Sequence, residues 1–274
     1  MKLATVRAED GFRVVRVERD GYVDVGPGDV GELLGREDWQ SFAAMTDGPV
    51  VHVSPEQLAP VIPQPGKIIC VGLNYRTHIT EMGRDLPQYP TLFAKYPEAL
   101  IGPNDALVLP AESDSIDWEA ELTVVVGRTV RRADRKTAAA AIAGYTILND
   151  ITARDWQFRT REWLQGKTWE ATTPLGPYLV TPDELRPDAE ISCTVDDEVM
   201  QKSTIADLVF DAADLVSYVS TMITLNPGDL IATGTTGGVG HARKPPRYLR
   251  AGQRVVTRIE GIGELVTPVV GGAS

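Results

Sequence analysis

The segment Asp117-Trp118-Glu119-Ala120-Glu121-Leu122-Thr123-Val124-Val125-Val126 is an acidic stretch that leads directly into an apolar β-strand. Side chains two residues apart on a strand share a face, so Glu119 and Glu121 point together while Ala120 and Leu122 point to the other side. The two carboxylates repel each other unless a divalent cation lies between them, and all-oxygen ligation favours Mg²⁺, Mn²⁺ or Ca²⁺ over zinc. The segment therefore predicts a metal site, with an acidic, solvent-facing strand end as the alternative.

Short strands separated by glycine and proline turns dominate the chain after about residue 66. The predicted strands cover residues 67–73, 105–109, 120–126, 145–148, 178–180, 191–195, 229–232 and 254–259. Helical periodicity is confined to residues 136–143, 153–163 and 205–222. We therefore expect a β-rich fold of the α+β class.

Residues 1–60 are predicted to form a small N-terminal β-rich domain. Alternating apolar and polar residues on both sides of Asp20-Gly21 indicate a β-hairpin, and a short helical pattern follows near residues 32–42. The segment from Pro60 to Gly66 contains Pro60, Pro63 and Pro65 and reads as an extended linker. We place the domain boundary there, which leaves residues 66–274 as a catalytic domain.

The charge balance limits the possible partners. The chain has 274 residues, with 27 Lys and Arg against 38 Asp and Glu, so its formal net charge is −11. Nucleic acids and anionic membranes require a positive surface, so we expect neither as a partner. Apolar runs are strand-sized, which predicts no membrane segment. The cysteines Cys70 and Cys193 lie far apart, and Cys70 lies in an apolar strand, so we expect reduced thiols and a cytoplasmic protein.

Two further segments carry groups that could take part in chemistry. Asp150 follows the apolar strand that ends at Asn149, where it would be either a further metal ligand or a helix N-cap. His78 and Glu81 are neighbours on a helix, so the carboxylate could orient the imidazole as a general base, or the two could form a surface ion pair. The isolated His52 and His241 have no acidic or cysteine neighbour and are predicted to be surface or core residues.

These segments occur in an order that resembles the fumarylacetoacetate hydrolase family. The resemblance covers about residues 66 to 270 and rests on five groups of residues in sequence. They are Gly72-Leu73-Asn74-Tyr75 with His78 and Glu81; Asp117 to Leu122; Asn149-Asp150 with Thr152 to Gln157; Gly166-Lys167 with Pro174 to Pro177; and Pro227-Gly228-Asp229 with Gly234-Thr235 and Gly238-Val239-Gly240.

The resemblance implies a mixed β-sandwich or roll, usually a homodimer, that holds Mg²⁺ or Mn²⁺. The implied metal ligands are Glu119, Glu121 and Asp150. His78 and Glu81 would lie on a segment, about residues 76–89, that orders over bound substrate. Lys167 would be catalytic and hold developing negative charge, while Arg154, Gln157 and Thr235 would bind substrate oxygens.

The chain departs from the family pattern at two positions. Glu170 stands where the family commonly has aspartate, and Thr236 stands where a proline commonly follows Gly234-Thr235. Both positions lie at the substrate end of the implied pocket, so the substrate of the family does not carry over with its chemistry.

The implied function is a divalent-metal-dependent hydrolase that cleaves a C–C bond in an acylpyruvate or a related keto acid. His78, assisted by Glu81, would deprotonate a water, and the metal with Lys167 and Gln157 would hold the departing pyruvate enolate. Decarboxylation of an oxaloacetate-type β-keto acid, or isomerisation of a 2-hydroxydienoate from aromatic breakdown, is the alternative on the same site. A metal-binding scaffold without activity is the remaining hypothesis.

Overall fold

The computed structural model describes residues 1–272, apart from residues 20, 82 and 84 and the side chain of Glu81. The strands are β1 (Lys2–Ala8), β2 (Gly11–Glu18), β3 (Gly21–Pro27), β4 (Val50–Val51), β5 (Ile68–Gly72), β6 (Thr91–Lys95), β7 (Leu100–Ile101), β8 (Leu107–Leu109), β9 (Ile116–Asp117), β10 (Ala120–Val126), β11 (Ile142–Asn149), β12 (Thr152–Ala153), β13 (Thr173–Val180), β14 (Glu190–Val195), β15 (Glu198–Thr204), β16 (Leu230–Thr235), β17 (Arg254–Ile259) and β18 (Gly263–Gly271). The α-helices are α1 (Val30–Leu34), α2 (Trp39–Met45), α3 (Arg76–Glu81), α4 (Arg135–Ala140), α5 (Arg154–Gln157), α6 (Leu164–Lys167) and α7 (Ala212–Met222).

Most of the strands belong to one large mixed sheet. Within the described residues this sheet has eleven strands in the order β4-β3-β2-β1-β13-β11-β10-β16-β5-β6, and β7 pairs with β13. A five-stranded sheet has the order β15-β14-β17-β18-β8, and β9 pairs with β12. The prediction of a β-rich α+β fold is confirmed.

Strand β10 lies in the middle of the large sheet and is buried along its whole length. Leu122 on one face packs with Ile147 against Ile191 and Leu265 of the five-stranded sheet. Farther along that face, Val124 joins a cluster that includes residues of α4 and α7. Because side chains alternate along a strand, Val125 faces the other way, into a cluster with residues of α1 and α2. Burial on both faces explains the continuous apolar run of this strand.

The N-terminal strands continue the large sheet. Strand β1 pairs antiparallel with β13, so the hairpin of β2 and β3 belongs to the same sheet as β10. In the segment between residues 60 and 66, Val61 and Ile62 are buried and pack in the cluster that contains Val125. The division of the chain into residues 1–60 and 66–274 stays a prediction.

Three predicted helices differ from the observed ones. Helix α4 ends at Ala140 because Ile142 already pairs with Val126 in the sheet. Helix α5 is a single turn. The aromatic residues after it do not line one helix face, because Phe158 contacts His241 and Trp163 contacts Phe93. Helix α7 begins only at Ala212, where the Asp211 side chain accepts a hydrogen bond from the backbone N–H of Asp214.

Within the described residues, no helix combines the length and the apolar character that crossing a membrane requires.

Candidate active site

Three acidic residues converge where β10 begins and β11 ends. The two strands are antiparallel neighbours in which Ala120 is paired with Asn149, so Glu119 and Glu121 lie beside Asp150. One carboxylate oxygen from each of the three lies within 4.8 Å of those of the other two. All three side chains are buried, and Glu121 and Asp150 are 1% and 0% exposed. The structure thus brings together the three predicted metal ligands.

The carboxylates differ in their partners. Burial raises the pKa of Glu121 well above its usual range, and the nearby charges of Asp150 and Glu119 raise it further. One of its oxygens, Oε2, accepts a hydrogen bond of 2.9 Å from the backbone N–H of Gly234. For Asp150, burial also acts to raise the pKa, but Lys167 and Lys95 outweigh it and the pKa is lowered. Asp150 accepts hydrogen bonds from these lysines. It is not the helix cap considered from the sequence, because the N-cap position of α5 is Ala153.

Two buried lysines hold the carboxylates. The Nζ of Lys167 donates to Glu119 Oε2 and to Asp150 Oδ2, each at 2.7 Å. The Nζ of Lys95 donates to Asp150 Oδ1, also at 2.7 Å, and it contacts the backbone oxygen of Lys167. Burial acts to lower the pKa of Lys167, but Asp150 and Glu119 outweigh it, so this pKa is raised. Lysine 95 is absent from the residues predicted above. A lysine directly after the apolar residues Leu92-Phe93-Ala94 was the available signal.

Helix α5 supplies Arg154 and Gln157. Arg154 forms ion pairs with Asp117, at 2.8 Å from Nε, and with Glu119, at 2.6 Å from Nη2. Its Nη1 donates to Gln157 Oε1 at 2.9 Å. Because the carboxamide oxygen of Gln157 faces the arginine, its NH₂ group is left to donate toward the cavity that Gln157 lines. Asp117 is a second residue whose role the sequence reasoning missed, although it lies in the quoted acidic segment.

Thr235 ends strand β16 beside Glu121. Its hydroxyl donates to the backbone oxygen of Ala120 at 2.9 Å and accepts from Gln201 Nε2 at 2.8 Å. Gln201 also donates to the backbone oxygen of Thr236 and accepts from the backbone N–H of Ala120. The hydroxyl hydrogen of Thr235 is therefore engaged with the protein, so contact with a substrate carboxylate requires that bond to be exchanged.

The two departures from the family pattern lie in different environments. Thr236 is buried, and its hydroxyl donates to the backbone oxygen of Gly237 at 3.0 Å. Glu170 is exposed to solvent. Only Thr236 therefore belongs to the packed surroundings of Thr235.

A cavity of about 400 Å³ opens onto the carboxylates. Its polar wall contains Glu119, Glu121, Arg154, Gln157, Lys167 and Thr235, and its apolar and aromatic lining includes Val71, Leu73, Phe93, Phe158, Trp163 and Val239. The rings of Phe93 and Trp163 meet edge to face with centroids 5.5 Å apart. His78 on α3 lines the cavity as well. The side chain of Glu81, its predicted partner, lies outside the described residues.

His241 is exposed, in agreement with the surface alternative considered from the sequence, and it also lines the cavity. It follows Gly240, whose backbone N–H donates to Asp117 Oδ1 at 2.7 Å, and its own backbone N–H donates to Asp117 Oδ2 at 2.9 Å. These hydrogen bonds bring His241 to the cavity although it lies about 120 residues after the acidic segment. No local sequence pattern indicates this position.

The residues present fit a hard divalent cation. They offer carboxylate oxygens only, which suits Mg²⁺ or Mn²⁺ better than a metal that prefers nitrogen or sulfur. Glu121 is buried beside two other carboxylates, and a cation would remove the repulsion that raises its pKa. The trio could therefore hold a metal ion.

The centre therefore combines a buried trio of carboxylates with two lysines and an arginine at the end of a mixed sheet. The family model of the fumarylacetoacetate hydrolase C-terminal domain matches residues 67–270, and the chain belongs to the fumarylacetoacetate hydrolase family. The resemblance inferred from the sequence is thereby confirmed.

Named relatives are enzymes of more than one activity. The chain is 43% identical over 216 residues to the mitochondrial oxaloacetate tautomerase Fahd2a of Rattus norvegicus. The aligned region covers 78% of this chain and 69% of that protein. Among solved structures, a fumarylacetoacetate hydrolase from Exiguobacterium antarcticum is 32% identical with a TM-score of 0.86, covering 99% of this chain and 100% of that one. A 5-carboxymethyl-2-hydroxymuconate delta-isomerase from Mycobacterium smegmatis is 34% identical with a TM-score of 0.80, and both chains are covered in full.

Proposed function

We propose that the protein is a divalent-metal-dependent enol–keto tautomerase of a small 2-oxo acid, with oxaloacetate as the first substrate to test. The observation that carries the proposal is the buried trio Glu119, Glu121 and Asp150. Glu119 and Glu121 of this trio line one cavity together with Lys167 and His78. The similarity to a relative named oxaloacetate tautomerase favours this reaction over the others considered.

A cation held by the trio, Mg²⁺ or Mn²⁺, would supply Lewis-acid stabilisation of negative charge on the 2-oxo oxygen. The ammonium group of Lys167 lies beside the same carboxylates and would donate a hydrogen bond toward that charge. The NH₂ group of Gln157, oriented by Arg154, would donate to a substrate oxygen. Phe93 and Trp163 would contribute an apolar surface beside these groups.

Tautomerisation moves one proton between C3 and the 2-oxo oxygen and breaks no C–C bond. In the direction of the enol, the imidazole of His78 would take the proton from C3, and the electron pair would move to the oxygen at C2. The imidazolium would then return this proton to the oxygen at C2. The imidazole is neutral before and after the reaction, so atoms and charges balance. The reaction needs a base and charge stabilisation but no attacking water.

Hydrolysis of an acylpyruvate, our leading hypothesis from the sequence, would use the same residues with one addition. His78 would have to activate a water that attacks the distal carbonyl. Decarboxylation of oxaloacetate requires the same stabilised enolate and releases carbon dioxide instead. Both stay predictions, as do the homodimer, the cytoplasmic location and a role in aromatic breakdown.

A test combines three readouts on purified protein: enol absorbance of oxaloacetate, pyruvate release from acetylpyruvate, and carbon dioxide release. With Mg²⁺ or Mn²⁺ we expect the enol absorbance to decrease rapidly, and we expect a chelator to stop this decrease. His78→Gln should lower this rate by roughly 10²- to 10⁴-fold, the usual contribution of a general base. His52→Gln, a change at an exposed histidine away from this cavity, is the matched control.

Full tautomerase activity in His78→Gln, or in the presence of chelator, would contradict the proposal. Chelator-sensitive release of pyruvate from acetylpyruvate, without acceleration of tautomerisation, would establish the hydrolase instead. Release of carbon dioxide alone would establish the decarboxylase.

A further inference from the structure

We propose that His241 recognises a second, distal carboxylate of the substrate, which makes the cavity selective for dicarboxylic 2-oxo acids. This inference rests on the proposed function and deepens it, because it names the substrate class. It is carried by the position of the imidazole in the cavity lining and by the contacts that the ring makes there.

The imidazole of His241 is exposed to solvent and lies beside two aromatic rings. Its ring centroid lies 5.1 Å from that of Phe158 and 6.4 Å from that of Tyr248, with interplanar angles of 36° and 29°. Its Nδ1 lies 3.0 Å from the hydroxyl of Tyr248. The main chain is held as well, by the hydrogen bond from its N–H to the buried Asp117. These contacts reduce the conformational freedom that the ring has left to lose when it binds a ligand.

The arrangement leaves one ring nitrogen for a ligand. When the Tyr248 hydroxyl donates to Nδ1, the ring proton lies on Nε2, and a protonated ring also carries hydrogen there. Nε2 forms no hydrogen bond with any described residue, and no described acidic side chain forms an ion pair with this histidine. A carboxylate oxygen is the acceptor that such an N–H donor binds most strongly.

The lysine and the arginine that line the cavity already pair with protein carboxylates, at the end of the cavity formed by Glu119 and Glu121. Lys167 is bound by Glu119 and Asp150, and Arg154 is bound by Asp117 and Glu119. A first carboxylate and the 2-oxo group of the substrate would occupy that end under the proposed function. A second carboxylate therefore needs a donor elsewhere in the cavity, and His241 is placed to be that donor.

The segment that follows His241 in the sequence is basic. Arg243, Lys244, Arg247 and Arg250 follow within nine residues. Arg247 pairs with Glu198, whereas Lys244 and Arg250 are exposed and form no ion pair with any described residue. In a chain of net charge −11, this local positive segment favours the approach of an anion at the place where Tyr248 packs on His241.

The test compares oxaloacetate with its 4-methyl ester, two substrates that differ in the charge of the distal group. In the wild-type enzyme, loaded with Mg²⁺, we expect a higher kcat/KM for the diacid. His241→Phe keeps a ring for Phe158 and removes both nitrogens, so it should lower kcat/KM on the diacid by about 10-fold or more, mainly through KM. The ester should lose less than about 2-fold. His241→Gln keeps a donor and should restore part of the diacid preference, and His52→Phe is the control.

An equal loss on both substrates, or no loss on either, would overturn the assignment of His241. If the wild type tautomerises neither substrate, the proposed function fails, and calorimetric binding of malate and its 4-methyl ester decides the inference separately. Tighter binding of malate that disappears in His241→Phe would support the distal site. No preference for malate in the wild type would refute it.

Discussion

Lys95 is predicted to stabilise the metal-free protein through its bond to Asp150. The two side chains are each 0% exposed, and Nζ lies 2.7 Å from Oδ1. Replacing Lys95 by methionine keeps a flexible apolar stem of similar size but removes the charge. Asp150 is then left buried with Lys167 as its remaining charged partner.

The expected cost follows from the burial of the pair. Removing one partner of a buried ion pair typically destabilises a protein by about 3–5 kcal/mol, because the other charge stays buried without compensation. Since Asp150 keeps Lys167, we expect the lower end, about 3 kcal/mol for Lys95→Met. For a chain of this size, that corresponds to a decrease in Tm of roughly 6–12 °C.

The measurement is the free energy of unfolding from urea titration of the metal-free protein. Lys202→Met is the matched control, because Lys202 pairs with Glu190 at 3.0 Å with side chains that are 64% and 48% exposed. An exposed pair of this kind contributes at most about 1 kcal/mol. A double-mutant cycle with Asp150→Asn should show a coupling of at least about 1 kcal/mol between Lys95 and Asp150. If Lys95→Met is no more destabilising than Lys202→Met, the reasoning from burial is wrong.

Two further changes test the site. Glu121→Gln should stabilise the metal-free protein by about 1 kcal/mol or more at pH 7 while weakening Mg²⁺ binding, because burial and the neighbouring carboxylates raise the pKa of Glu121. A carboxyl group whose pKa is raised on folding lowers stability as the pH rises above its unfolded pKa of about 4.3, so the gain should vanish below that pH. Urea unfolding at several pH values, with exposed Glu264→Gln as control, checks this, and lower stability of Glu121→Gln at pH 7 would contradict it. Asp117→Asn should speed amide hydrogen exchange at Gly240 and His241, because it removes the charge that accepts both N–H groups and binds Arg154. Unchanged exchange there would show that Asp117 does not hold this loop.

The three candidate metal ligands could be predicted because the sequence patterns that indicate them are local. Glu119 and Glu121 share a strand face by simple alternation, and Asp150 directly follows a neighbouring apolar strand. His78 was a candidate because of its helical spacing to Glu81, and Lys167 came from the family resemblance; the structure places both at the cavity. The boundaries of helices were less predictable, since α5 ends where Phe158 and Trp163 contact residues far away in the sequence.

The residues that were missed act across long separations in the chain. Lys95 meets Asp150 over 55 residues, and Gln201 meets Ala120 over 81. Asp117 binds the backbone of His241 over 124 residues. A sequence pattern reports only which neighbours share a strand face or a helix face, and it carries no information on which distant side chain will meet a buried charge.

The sequence by itself determined the β-rich class, the family and the pair of carboxylates on one strand face, because alternation and local order along the chain encode them. The tertiary structure alone decided that β1 joins the sheet of β10, that two buried lysines hold Asp150, and that His241 reaches the cavity. These depend on strand order and on the matching of buried charges. Both arise only when the whole chain has packed, since an unpaired charge is tolerated in water but not in the core.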